Sequence, residues 1–403
     1  MKIIDGSILE GGGQILRMSI AFSSLLNIPI RIEKIRAGRE KPGLKAQHMT
    51  GIKLVQKFCK AIVKNCELKS TCVEFVPTCA LRDNECKEYS ADIGTAGAIT
   101  LLCQISLPCL LFSGSETGVS MFLKGGTNVG MAPQIEYYNH VFRPNLNRFG
   151  VDFECKECDM RKGYFPKGGG HVNLKILPIK GKALNAMELI DPGIVNKITI
   201  FSSVAGVLPI KMAHTMADAA ISLLTEKIAS FGEIQTSINV KKEENAFGNG
   251  SSIVIIAETS TGCILGGSCL GSPKQQANLV GQDAAMELLK SIKQKGTKSS
   301  QIRSRFHTDM YVLLNNLCYR ANLIITYQTF RIVCVDEYMQ DQMIIFMALA
   351  KGESKMLAGP LTLHSQTAIH IATQLTQAKF CVSPIQTGTN SQTLITCHGI
   401  GYQ

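Results

Sequence analysis

A mixed body of the α/β or α+β class is predicted by three observations. Helical-period and strand-like segments alternate along the whole chain, and neither a single long helix nor a run of short strands dominates. The 403 residues are 45% hydrophobic and 18% charged, with 36 Gly and 13 Pro, the balance of a folded protein with a sizeable buried core rather than a disordered or collagenous chain.

In chain order, residues 15–26 place apolar side chains near helical spacing, residues 29–35 alternate apolar and polar as a half-buried strand does, and residues 47–61 return to helical period. Residues 98–112 form the longest apolar run, which Gln104 and Pro108 interrupt and which is too short to cross a bilayer. Helical spacing predicts helices over 133–149, 214–230, 279–292 and 336–349, alternation a strand over 172–179, and a β-branched run a buried strand over 252–257. The start, MKIIDGSILEGGGQ, has no long apolar segment or cleavage site, so secretion is not expected. Fifteen cysteines, odd in number and irregularly spaced, are read as reduced thiols; the Cys155/Cys158 pair has no second pair at zinc spacing.

Formal charge is +11, from 42 Lys+Arg against 31 Asp+Glu, and attracts anionic partners. It concentrates where Arg31, Lys34, Arg36, Arg39, Lys41, Lys45 and Lys53 face only Glu33 and Glu40. Three glycine-rich loops, at 10–14, 166–170 and 247–250, adjoin regular elements and hint at a repeated strand, loop and helix unit. Residues 298–334 stand apart: 37 residues with no Gly or Pro, one acid and five bases, read as an atypical insertion or a translated intron.

Neither GxxxxGK[ST] nor GxGxxG occurs, so a bound phosphate needs another device. The first glycine loop offers close backbone approach and a helix N-terminus, with Gln14 and Arg17 three apart on one face. Arg36 and Arg39 lie three apart in a Gly/Pro-rich loop, a spacing that suits phosphate clamping. Tyr338, Asp341 and Gln342 form a polar trio on an otherwise apolar helix, suited either to orienting a metal-bound nucleotide or to a buried network. Among the histidines, spacing does not single out His364 above His48, His140 or His171, although imidazole can serve as a covalent nucleophile.

Together, Glu10-Gly-Gly-Gly-Gln-Ile-Leu-Arg17, Ile35 to Arg39 with Lys41-Pro-Gly-Leu44 and Gln47-His48, Gly94-Thr-Ala-Gly97, Leu123-Lys-Gly-Gly-Thr127, Tyr164 to Gly170 and Asp336 to Gln342 resemble the RNA 3′-terminal phosphate cyclase family, in order over nearly the whole chain. Gly359 to Ile369 resembles the eukaryotic form. The resemblance implies an ATP-dependent enzyme that turns an RNA 3′-phosphate into a 2′,3′-cyclic phosphate, releasing AMP and diphosphate through a histidine-AMP intermediate on His364. It places Gln104, Pro133, Tyr338, Asp341 and Gln342 at the ATP site, matches Glu10, Gln14, Arg17, Arg36, Arg39 and Gln47 to essential or phosphate- and RNA-binding positions, and implies Mg²⁺ or Mn²⁺ and nuclear location. The implied architecture is a large domain of repeated sheet-and-two-helix units (1–186 and 335–403) interrupted by a smaller α/β domain (187–291), a connection (292–297) and the atypical segment. The rivals are a cyclase-like ribosome-biogenesis factor without the nucleophilic histidine and an inert RNA-binding protein whose insertion has disabled the nucleotide site.

Overall fold

The computed structural model describes residues 1–228, 232–292, 332–387 and 390–403. Its larger part repeats one βαβαββ unit three times. The first unit runs through strand Lys2–Asp5, helix α1 (Gly13–Leu26), strand Ile30–Glu33, helix α2 (Ala46–Cys59) and strands Ile62–Lys64 and Val73–Val76. Across its sheet the strands stand in the order first, second, fourth, third; the first pair is parallel and the others antiparallel. A parallel neighbour requires a crossover, and α1 supplies it.

The second unit has the same plan: Glu88–Asp92, α3 (Ile99–Leu110), Val119–Gly125, a helical stretch α4 (residues 135–147), Phe153–Glu154 and Gly170–Ile176, with Met160–Arg161 added beside the last. In α4 the helix widens to a π-turn over Tyr138–Phe142. The third unit opens with Glu188–Leu189 and is then interrupted by a separate body. That body holds strands Val195–Ala205, Gln235–Glu243, Gly250–Thr259 and Ile264–Leu270 with helices α5 (Ile210–Ile228) and α6 (Ala277–Ile292). The third unit resumes with α7 (Glu337–Leu349), Lys351–Ala358, α8 (Leu363–Leu375), Lys379–Thr387 and Asn390–Ile400, again in the order first, second, fourth, third. The chain is thus mixed α/β, and no described helix is long and apolar enough to cross a membrane.

The repeat is real, but the glycine loops do not mark it. Only the first opens a helix; the loops at 166–170 and 247–250 feed strands Gly170–Ile176 and Gly250–Thr259. Two hydrophobic clusters form the core, one shared by the three units and joined by Val254, Ile256 and Cys263 of the inserted body, the other formed within that body together with Ile332 and Val333. Residues 298–331 of the atypical segment lie outside the described residues. Its last three residues are buried, and Cys334 N–H donates to Leu357 O at 2.9 Å, so they belong to the folded body. Every cysteine among the described residues is free.

Candidate active site

The three units and the inserted body enclose a cavity of about 1400 Å³. All twelve residues singled out from the sequence line it: Glu10, Gln14, Arg17, Arg36, Arg39, Gln47, Gln104, Pro133, Tyr338, Asp341, Gln342 and His364.

At its floor lies a polar ring assembled from three helices. Arg17 of α1 donates from Nε to Gln104 Oε1 at 2.5 Å and from Nη2 to Gln14 Oε1 at 2.8 Å. Both amides then turn their nitrogens to Asp341 Oδ2 of α7, Gln14 at 2.9 Å and Gln104 at 3.3 Å. A half-buried guanidinium and a half-buried carboxylate are therefore joined through two amides, each oriented by a donor on one side and an acceptor on the other. Burial raises the Asp341 pKa against the opposing influence of His364 and Arg17, and burial lowers that of Arg17 against Asp341 and Glu10.

The glycines of the first loop serve this packing. Gly11 takes a left-handed φ of 56°, and a Cβ on Gly12 or Gly13 would fall 1.9 Å from Glu10 Oε1 or 2.6 Å from Arg17 Nη1. Arg39 Nη2 donates to Glu10 Oε1 at 2.6 Å, while Glu10 Oε2 is buried with no hydrogen-bond partner. Arg36 is bound more tightly than a free clamp would be: its Nη1 donates to Lys41 O and Gly43 O at 2.7 and 2.9 Å and so also shapes the basic loop. Gln47 Oε1 accepts from Ala98 N–H at 3.2 Å, just ahead of α3. Pro133 O accepts from Thr100 Oγ1 at 2.8 Å.

His364 stands in the first turn of α8, exposed on the cavity wall. Thr362 caps that helix by accepting from Ser365 N–H at 3.0 Å, and Gln340 of α7 holds the cap by accepting from Thr362 N–H at 2.9 Å. The trio's helix is fixed in turn by Asp336. This cap accepts from Tyr338 and Met339 N–H at 3.0 Å, from Tyr137 OH at 2.5 Å and from Gly266 N–H at 2.8 Å. Burial drives the Asp336 pKa up to about 6, against those hydrogen bonds. Tyr338 OH reaches Glu287 Oε1 of α6 at 2.6 Å, tying the trio to the inserted body.

The ambiguity among the histidines is reduced to two. His140 stacks on Phe201 and His171 packs at a tilt against Phe122, whereas His48 and His364 both line the cavity. His48 Nδ1 accepts from Lys45 N–H at 3.2 Å at the start of α2. Burial first, then the charges of Arg17, Arg36 and Lys45, lower its pKa to about 3. An unfolded imidazole titrates near 6.5, so between those values the unfolded chain binds the extra proton. The resulting stability is complete above pH 6.5 and is lost as pH falls toward 3. The urea-denaturation free energy of the wild type should exceed that of His48→Gln by an amount that shrinks by about 1.4 kcal/mol per pH unit below 6.5. Asp336 acts in the opposite direction, losing stability as pH rises through about 6. The difference between the two proteins isolates His48, and a difference independent of pH would refute the assignment.

Sequence reasoning attached no role to one whole wall. Met212, Asn249, Ser251 and Gln275 reach the cavity from the inserted body, and Asn128, Met131 and Phe165 from the second unit. The glycine loops at 166–170 and 247–250 were the available signal, since each ends or begins at this wall.

The cavity of this α/β protein is lined by Arg17, Arg36, Arg39 and Lys45, by His364 and by the glycine loop that opens α1, residue types that suit an anionic ligand and group transfer. Residues 8–382 match the family described as RNA 3′-terminal phosphate cyclase. The chain belongs to that family. It is 39% identical to the probable RNA 3′-terminal phosphate cyclase of Dictyostelium discoideum, over 99% of this chain and 83% of that protein. Identity to the RNA 3′-terminal phosphate cyclase of Drosophila melanogaster is 36%, over 100% of this chain and 97% of the relative. For that of Pyrobaculum aerophilum it is 35%, over 94% and 93%.

Proposed function

We propose that this chain is an RNA 3′-terminal phosphate cyclase that uses ATP and a covalent histidine-AMP intermediate. The observation that carries the reading is the convergence, from segments hundreds of residues apart, of the family-matched residues on one cavity with His364 at its wall. An imidazole nitrogen of His364 attacks the α-phosphorus of ATP; an N–P bond forms and diphosphate leaves with the electrons of the broken P–O bond. A 3′-phosphate oxygen of RNA next displaces the imidazole and takes over the AMP. The neighbouring 2′-hydroxyl then attacks the 3′-phosphorus, loses its proton, closes the ring and expels AMP.

Arg17, Arg36 and Arg39 supply positive charge for these phosphates, and the Gln14/Gln104 amides keep Arg17 and Asp341 in fixed orientation. Among the described residues no group of three or more His, Cys, Asp and Glu forms a metal cage. The orphaned Glu10 Oε2 nevertheless fits Mg²⁺ or Mn²⁺ held by one carboxylate together with substrate phosphates, where the ion neutralises phosphate charge.

The test is to incubate the protein with ATP, Mg²⁺ and a 5′-labelled RNA ending in a 3′-phosphate. The expected product end resists phosphatase, with one AMP and one diphosphate released per end. Unchanged RNA from folded protein would favour an inert RNA-binding or ribosome-biogenesis role instead.

A further inference from the structure

The cavity opens beside an aromatic side chain that has no apolar cover. Phe165 is 73% exposed, and Met131, also on the cavity rim, is 97% exposed. Isolated exposed apolar residues are ordinary, but here cations and further rings continue the surface outward. Two residues past Phe165, Lys167 Nζ lies 5.9 Å from the centroid of Phe247, and Arg161 Cζ lies 5.1 Å from the same ring. Phe247, from the inserted body, thereby contacts two cations. Gly169 makes room for it, since a Cβ there would sit 2.3 Å from the Phe247 ring.

From Arg161 the surface passes directly onto the outer face of the second unit's sheet. Arg161 pairs in register with His171, whose ring lies 5.2 Å from that of Phe122. Phe122 is 42% exposed because strand Val119–Gly125 turns Val119, Met121 and Leu123 inward and its alternate residues outward. Phe165 and Pro166, which precede Lys167, and Asn249, two residues past Phe247, line the cavity, so this face adjoins the rim through Lys167, Phe247 and Arg161. Lys124 on the same face is already paired with Asp92 at 3.0 Å.

We propose that the RNA chain on the 5′ side of the reacting phosphate leaves the cavity past Phe165 and crosses this face, with phosphates on Lys167 and Arg161 and bases against Phe165, His171 and Phe122. The inference rests on the cyclase reading for its occupant. Exposed rings interleaved with cations and running out of a phosphate-binding cavity match the way single-stranded RNA is held, by stacking and backbone charge together.

Affinities of 3′-phosphorylated oligoribonucleotides of two and of ten residues, measured by fluorescence anisotropy without ATP, test it. The ten-residue RNA is expected to bind about 10-fold or more tightly than the dinucleotide. Phe122→Ala should remove about 5-fold or more of that advantage. Lys167→Ala with Arg161→Ala should flatten the slope of log affinity against log salt by about 1.4, two phosphates' worth for a single strand. Dinucleotide binding, which requires the folded cavity, should stay at the wild-type value in all of these variants. Equal affinity for both lengths overturns the proposal, as does a loss shared equally by both, or variants that bind the long RNA as the wild type does, which would turn the surface toward a protein partner. Cyclisation of the dinucleotide is scored separately. Protein that cyclises without length preference loses only this surface, and protein that prefers long RNA but cyclises nothing loses only the enzymatic reading.

Discussion

Protein carrying His364→Ala is expected to take up no covalent label from α-labelled ATP and to cyclise RNA 3′-phosphate ends on the order of 10⁴-fold more slowly than wild type, or below detection. Removal of a nucleophile takes away the covalent route and not merely one contact, which is why losses of this size accompany it. Fold and site disruption can be separated from chemistry here. The cap of α8 is built from Thr362, Ser365 and Gln340, none of which depends on the His364 imidazole. His364 is exposed, so its replacement should alter stability by no more than about 0.5 kcal/mol. Label acid-labile and alkali-stable in wild type, absent in His364→Ala with an unchanged urea midpoint, is the expected pair of results. Label persisting in the variant would move the nucleophile elsewhere, and His48, the other histidine on the wall, would be replaced next.

The sequence made parts of this site legible because helical spacing is local. Gln14 and Arg17 share a face of α1, and Tyr338 and Gln342 are one turn apart on α7, where Gln342 Nε2 donates to Tyr338 O at 2.8 Å. No local pattern says that these two helices meet, since Gln14 and Asp341 are 327 residues apart. Only the ordered motifs of the family resemblance joined them before the structure did. The threefold repeat was legible only as a hint for a related reason. Its copies share strand order and pairing direction, whereas the glycine loops that suggested it mark close backbone approaches to the cavity wall. Asn249, Ser251 and Met212 escaped because common residue types on loops, strand ends and helix starts carry no periodic signature; they become site residues only through the placement of the inserted body. His48 was visible as a residue beside Gln47 but not as an acid-sensitive group, because its depressed pKa depends on burial and on three cations from separate turns.

Arg17→Met is expected to lower stability by about 1–3 kcal/mol, the cost of leaving buried and half-buried polar partners without their donor. The substitution leaves Gln14 Oε1 and Gln104 Oε1 without their donor and removes one of the two charges, with His364, that oppose the burial of Asp341. Arg17 is also one of the cations facing the cavity, so ATP-dependent labelling of His364 should fall together with stability. A merely solvated arginine would show neither effect. Asp341→Ala alone should be comparably costly, because Arg17 would then keep only Glu10 as a compensating charge and both amide nitrogens would lose their acceptor. The double variant is the decisive protein. If the two charges are coupled through the amides, it will be more stable than the sum of the single losses requires, with a coupling energy of about 1–3 kcal/mol in a urea-denaturation cycle. Strict additivity would mean that Gln14 and Gln104 each serve their own neighbour, and that the ring at the cavity floor is two separate hydrogen-bonded pairs.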